Sequence, residues 1–184
     1  MKKDIYTAFP LGDSCLIIQF SNTVQISINK KVLSLFQAIQ QANIFFIKDI
    51  IPAYSSLAVH YDVYSIKQQY HDQSAFDIVS KKLEDIINQQ TEDAKTPNRK
   101  LQIPVCYAPS YALDIDELAQ QKNISLQEVI QLHTSTTYRV YMIGFLPGFA
   151  YMGEVDQKIA MPRRPQPRTA VPEGSVGIAG ITRC

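Results

Sequence analysis

The chain has 184 residues, 46% of them apolar and 19% charged, with a formal net charge of +1. That composition excludes a disordered chain, and a charge so near zero leaves no global field to draw nucleic acid or a membrane surface toward it. No run approaches the roughly 20 apolar residues of a membrane span, and the start, Met1-Lys2-Lys3-Asp4-Ile5-Tyr6, lacks the apolar core of a secretory leader.

Ile5–Phe9 and Ser14–Phe20 read as short strands separated by the turn-forming run Pro10-Leu11-Gly12-Asp13. From about Val24 to Ala42 the period becomes helical, with Val32, Leu35, Phe36 and Ile39 on one stripe and Ser21 or Asn22 available as a cap. Ile47–Ala53 and Leu57–Tyr61 read as a second strand pair. A second amphipathic helix follows, with Phe76, Val79, Leu83, Ile86 and Ile87 on its apolar face. Strands, helix, strands, helix predict an α+β domain over residues 1–90, an α/β sandwich whose helices cover one face of an antiparallel sheet. Gln89 to Arg99 holds no apolar residue larger than alanine and predicts an interdomain linker at 91–99.

The second domain, 100–184, opens with an expected strand at Lys100–Tyr107, with Pro104 marking an edge or strand end. Helices are expected at Asp114–Gln121, with Asp114 as N-cap, and at Leu126–His133, introduced by the capping box Ser125-Leu-Gln-Glu128. Thr136–Ile143 is β-branched and aromatic and reads as a strand. Beyond it the composition changes. Six of the seven glycines and five of the ten prolines fall between Tyr138 and Gly180, together with Arg163, Arg164 and Arg168. Glycine opens conformations with positive φ and proline fixes φ, so this is the composition of shaped loops built on strands.

Several groups in this chain are candidates for chemistry. His133 shares a helical face with Val129 and Ile130; it either closes the helix at its negative end or transfers a proton. His60-Tyr61-Asp62 ends an apolar strand, either where the chain reaches water or as a His–Asp pair that orients an imidazole. Phe145-Leu-Pro-Gly-Phe-Ala-Tyr151 places aromatics around a Pro-Gly turn, forming a core corner or the wall of a pocket or interface. Arg163, Arg164 and Arg168, stiffened by Pro162, Pro165 and Pro167, are either a solvated basic loop or a set of guanidinium forks for carboxylate or phosphate. Gly174-Ser-Val-Gly-Ile-Ala-Gly180 could present backbone N–H groups to an anion but is not a P-loop. The three histidines show no metal-ligand spacing, so no metal is expected. Cys15, Cys106 and Cys184 are few, odd in number and scattered, which fits a reducing cytosol and a cytoplasmic protein.

Five stretches, in order, resemble the 5-oxoprolinase B-subunit family, whose members are also described as allophanate hydrolase subunit 1 or as Kip-type inhibitors of a sensor histidine kinase. They are Pro52–Asp62, Ile103–Tyr107, Glu128–His133, Tyr138–Tyr151 and Pro167–Gly180. The resemblance implies a cyclophilin-like β-barrel after the N-terminal domain, and A- and C-type partner subunits. It also implies cleavage of 5-oxo-L-proline to L-glutamate by the complex with ATP, and it shows no cofactor for this chain alone. The alternative it leaves open is a regulatory protein that inhibits a sensor histidine kinase. On this reading His133 and Arg139 are catalytic, and Phe145, Pro147, Gly148, Phe149, Arg163, Arg168 and Thr169 bind substrate. After Gly180 the family pattern continues with a glycine-glutamine-threonine-glycine turn and further strands. Here Ile181-Thr-Arg-Cys184 stands instead, which leads to the expectation of a truncated barrel lacking its C-terminal strands.

Overall fold

Alternation of apolar side chains organises the first sheet. The computed structural model describes residues 6–89, 99–166, 168–180 and, for the backbone, 182–183. The linker expected at 91–99 lies outside the described residues except for Arg99, as do Pro167 and Cys184. Two units result, Met1–Arg99 and Lys100–Cys184. Both are mixed α and β with antiparallel sheets, and five helices occur among the described residues.

In the first unit, β1 (Thr7–Pro10), β2 (Cys15–Gln19), β3 (Ile47–Pro52) and β4 (Ser56–Tyr61) form an antiparallel sheet in the order β1-β2-β4-β3. Leu16 pairs with Val59 and Ile18 with Leu57, so the buried members of both strands share one face. Helix α1 (Ile26–Ala42) carries the chain from β2 to the far edge and packs on β3 and β4. Helix α3 (Ala75–Gln89) packs on β2 and against α1. Val32, Leu35 and Ile39 of α1 and Val79 and Leu83 of α3 complete one core with the sheet.

Two details depart from the sequence reading. Ser21 and Asn22 do not cap α1; Gln25 occupies the cap position without a side-chain bond. Gln19 Nε2 donates to Asn22 Oδ1 at 2.7 Å, and the Ser21 hydroxyl accepts from Thr23 N, so both candidates are spent in a local turn that competes with capping. An unforeseen helix, α2 (Val63–Gln69), begins at Asp62, whose carboxylate accepts from Ser65 N at 3.1 Å and Ser65 Oγ at 2.8 Å. Asp62 therefore caps a helix and does not orient His60.

In the second unit the expected strand Lys100–Tyr107 does not form. A strand exists through its ladder, and these residues pair with no other among those described; Leu101 and Ile103 lie exposed, and Pro104 removes a donor. Helices α4 (Ile115–Lys122) and α5 (Leu126–Thr134) follow, the latter capped by Ser125 Oγ accepting from Glu128 N at 3.1 Å. They meet in a small core of Ala119, Val129, Val155 and Ile159, joined by Leu118, Leu132 and Ile178.

The second sheet runs β5-β6-β8-β7, from β5 (Arg139–Ile143), β6 (Ala150–Gly153), β7 (Ile178–Ala179) and β8 (Thr182–Arg183). The register slips between Val140 and Met142 opposite Met152 and Tyr151. This bulge turns Tyr141 inward to 1% exposure while Val140 stays exposed. A Cβ on Gly153 would sit 3.2 Å from Tyr141 Cε2, so glycine there makes room for the buried ring.

Candidate functional site

The segments that carry the sequence motifs form three groups of contacts in the second unit. The first surrounds His133, in the last turn of α5. Its ring is 8% exposed, shares a hydrogen bond through Nδ1 with the Tyr107 hydroxyl, and lies edge-to-face with that ring at 5.7 Å. Tyr138 lies 5.8 Å away on another side, and its hydroxyl donates to the His133 carbonyl at 3.0 Å. A helix-terminal carbonyl is thus satisfied by a side chain from the approach to β5. Tyr107 in turn ties the 100–107 segment, which forms no strand among the described residues, to α5. His133 therefore works at least as a structural centre, and proton exchange through it would have to use Nε2.

The second group is the β5–β6 hairpin. Gly144 N donates to Phe149 O at 3.0 Å, Leu146 N to Gly144 O at 2.8 Å, and Phe149 N to Leu146 O at 3.0 Å. The first of these closes the hairpin. The second closes a three-residue turn around Phe145, which has φ 65°, and the third closes a turn through Pro147 and Gly148, which has φ 82°. Positive φ suits Gly148 but is an outlier for a bulky residue such as Phe145. The Phe145 ring is 81% exposed and meets Phe149 edge-to-face at 5.5 Å, and Phe149 meets Tyr151 at 5.1 Å. The aromatic cluster is therefore neither a core corner nor a closed pocket wall: it is a ladder of rings presented on a hairpin tip.

At the base of that hairpin lies Arg139, opposite Gly153 in the ladder. Its Nε is buried and has no hydrogen-bond partner among the described residues. Such a donor is ready for an acceptor that the described residues do not provide. Close by, burial and then the Glu154 carboxylate push the Tyr141 hydroxyl above its ordinary range, while the Arg139 charge pulls the other way.

The third group is the arginine loop. Arg164 binds Asp114 at 2.8 Å and also Glu117; Arg168 binds the same Asp114 oxygen. Glu117 stands in the first turn of α4, and Asp114, the N-cap residue, makes no side-chain bond to its own helix. Arg163 and Thr169 are exposed, and Gly180 N donates to Met161 O at 2.6 Å at the loop's base. In the glycine-rich stretch, Ser175 N and Oγ both bond Pro172 O, with Gly174 at φ 77° supplying the turn.

Sequence reasoning missed Asp114 and Glu117 as partners of the arginines, about 50 residues away in the chain, and nothing in the local pattern announced them. It also missed Tyr107 as the partner of His133. In the first unit, Cys15 Sγ lies 3.7 Å from His60 Nε2, and burial holds that thiol above its ordinary range, in its protonated form. Among the described residues no group of three His, Cys, Asp or Glu is placed to hold a metal ion, and no helix is long and apolar enough to cross a membrane.

Residues 6–184 match the family model described as carboxyltransferase domain, subdomain C and D. Over 178 residues the chain is 36% identical to the 5-oxoprolinase B subunit of Bacillus subtilis, covering 96% of this chain and 74% of that protein. It is 43% identical over 82 residues to the 5-oxoprolinase B subunit of Haemophilus influenzae, a match that spans 45% of this chain and 38% of that one. Among solved structures, TTHA0988 superposes with a TM-score of 0.74 at 29% identity, over 92% of this chain and 31% of its own length.

Proposed function

The chain belongs to the carboxyltransferase-domain family of subdomains C and D, and on that footing we propose that it is the B-type component of a 5-oxoprolinase. The observation that carries this reading is the match to the Bacillus subtilis protein of that kind, over 96% of this chain and 74% of that one. On this reading it works with A- and C-type subunits in an ATP-dependent complex that opens 5-oxo-L-proline to L-glutamate, and its second unit has a cyclophilin-like barrel plan.

The chemistry sets what each group would do. A lactam carbonyl is a poor electrophile because its nitrogen donates into it. Transfer of a phosphoryl group from ATP to the amide oxygen would make the carbon open to attack by water, with loss of phosphate and opening of the ring. Such a sequence needs donors aimed at a carboxylate and at developing charge on oxygen. Arg139, with its unpartnered buried Nε, is the best placed donor in this chain, and Arg163 and Arg168 supply charge on a proline-stiffened loop. His133 would exchange protons through Nε2, its Nδ1 being held by Tyr107. The ladder Phe145–Phe149–Tyr151, exposed at Phe145 and half-buried behind it, with Pro147 and Gly148 at its turn, would line the shared site at the contact with another subunit. Thr169 would lie on the same loop as Arg168.

The test is co-expression of this chain with the A- and C-type subunits of its own source, followed by an assay of 5-oxoproline-dependent ATP hydrolysis. Turnover that requires all three and falls at least tenfold in Arg139→Ala is the expected result. A complex that assembles yet turns over equally without this chain would reject the reading.

A further inference from the structure

We infer that the arginine loop is latched shut by the protein's own carboxylates, and that Asp114 and Glu117 occupy guanidinium forks which otherwise bind an exogenous anion. This builds on the reading of Arg168 as an anion-binding group and adds a gate to it. The geometry supplies both halves. Arg164 bridges Asp114 and Glu117, and Arg168 takes the Asp114 oxygen that Arg164 also holds, so one carboxylate closes two forks. These are the contacts a carboxylate or phosphate ligand would make with the same side chains.

The latch also has a second state built into it. Asp114 sits at the N-cap of α4 with φ −117° and ψ 2°, outside the extended backbone usual for that position, and leaves the first helical N–H groups without its side chain. When the arginines leave, that carboxylate can turn to cap α4, which offsets the loss of the ion pairs. The pairs are between one-third and one-half exposed, so each contributes little and salt weakens it. Two states so nearly balanced can be exchanged by an anion of modest affinity. Arg163 on the same loop adds positive charge, and Asp116 stands in the first turn of α4 without an ion pair to either arginine among the described residues.

Limited trypsin digestion reads the latch directly, because cleavage at Arg168–Thr169 requires the loop to leave α4, whereas Arg164–Pro165 resists trypsin in any state. In the Asp114→Asn, Glu117→Gln double variant we expect cleavage after Arg168 to rise about fivefold or more, as loss of an exposed ion-pair network of about 1 kcal/mol implies. Asp116→Asn removes the same kind of charge from the same turn and should leave the rate unchanged. In wild type, 0.5 M NaCl should raise the rate, and in the double variant it should not. Inorganic phosphate, titrated calorimetrically at low salt, should bind the double variant several-fold more tightly than wild type. Equal cleavage rates in wild type and double variant, or equal phosphate affinity, would overturn the latch. Should the double variant fail to fold, the single variant Asp114→Asn decides, because Asp114 holds both arginines: faster cleavage after Arg168 supports the latch, and a wild-type rate in the folded single variant refutes it. All of this uses the chain without its partner subunits, so its failure is separate from loss of turnover in the complex.

Discussion

Tyr107→Phe removes a single oxygen, and the consequences reach two elements at once. The phenol ring stays, so its edge contact with His133 survives, but the imidazole Nδ1 loses its hydroxyl partner inside a site where His133 is 8% exposed. A hydrogen bond between neutral groups contributes about 0.5–1.5 kcal/mol net, and a buried polar atom left without a partner raises the loss toward about 1–3 kcal/mol. Tyr107 is half-buried, so water reaches part of the vacated position and the lower half of that range applies, about 1–2 kcal/mol. For a unit of this size that corresponds to a fall in Tm of about 4–15 °C. The segment 100–107 has no ladder of its own, so the same change should release it from α5. Thermal denaturation gives the first number, and amide exchange of peptides from α5 and from 100–107 locates it. An unchanged Tm with unchanged exchange in both peptides would refute the view that His133 is held by Tyr107 and would leave the imidazole's burial to packing alone.

Gly153→Ala should destabilise the second unit by about 1–3 kcal/mol, since the new methyl would meet Tyr141 Cε2 at 3.2 Å against a ring with no room to retreat; urea titration checks it. Burial holds Tyr61 and Tyr141 above their ordinary value of 10.0, with the Cys15 thiolate and Asp13 adding to it at Tyr61 and Glu154 at Tyr141. The unfolded chain then loses those protons first, so stability falls as pH rises through and beyond 10, and Tyr141→Phe should flatten part of that fall in a pH series of denaturant midpoints. Asp62 behaves oppositely: bonds from the Ser65 hydroxyl and amide, then Lys48, hold its carboxyl below 3.8, so its stabilisation is present above that pH and is lost as pH falls through the depressed value. Asp62→Asn should remove that acid limb of the melting profile while retaining much of the cap. Phe145→Asn should leave the isolated chain's Tm within about 5 °C, because asparagine accepts φ 65° more readily than phenylalanine and the lost ring is 81% exposed, yet it should weaken co-purification with the C-type subunit.

The first sheet was legible because its signals are local. Leu16 and Ile18, then Leu57 and Val59, alternate along strands whose one face is buried, and the stripe of Val32, Leu35 and Ile39 has helical spacing. Helix α2 escaped notice since it runs only seven residues and buries Ile66 alone; its signal was the cap Asp62 with Ser65, which reads equally well as a polar strand end. At 100–107 the alternation was real and the strand was not. Side chains can specify an extended backbone, but only a neighbouring strand can pair its N–H and C=O groups. The residues of the candidate site divide along the same line. Ser125 revealed its cap on Glu128 N within four positions, whereas the closure of Arg164 and Arg168 on Asp114 and Glu117 joins segments whose relation exists only after folding.

That division bears on where chemistry can reside in this chain. His133, the residue most suggestive of catalysis by type, is committed at Nδ1 and at its carbonyl and lies under two tyrosine rings. Arg168, the residue most suggestive of anion binding, is committed to a carboxylate of its own chain. What is uncommitted among the described residues is of another kind: the buried Nε of Arg139 at the root of the β5–β6 hairpin and the exposed ring of Phe145 at its tip. A strained, outward-facing phenylalanine costs about 1–2 kcal/mol in isolation, and an orphaned guanidinium donor costs a comparable amount. Both costs lie on one hairpin, and both would be recovered by a single event, the docking of a surface that is apolar at the tip and carries an acceptor near the base. On the proposed reading, in which another chain completes the site, that docking is the physical reason for the hairpin to carry both.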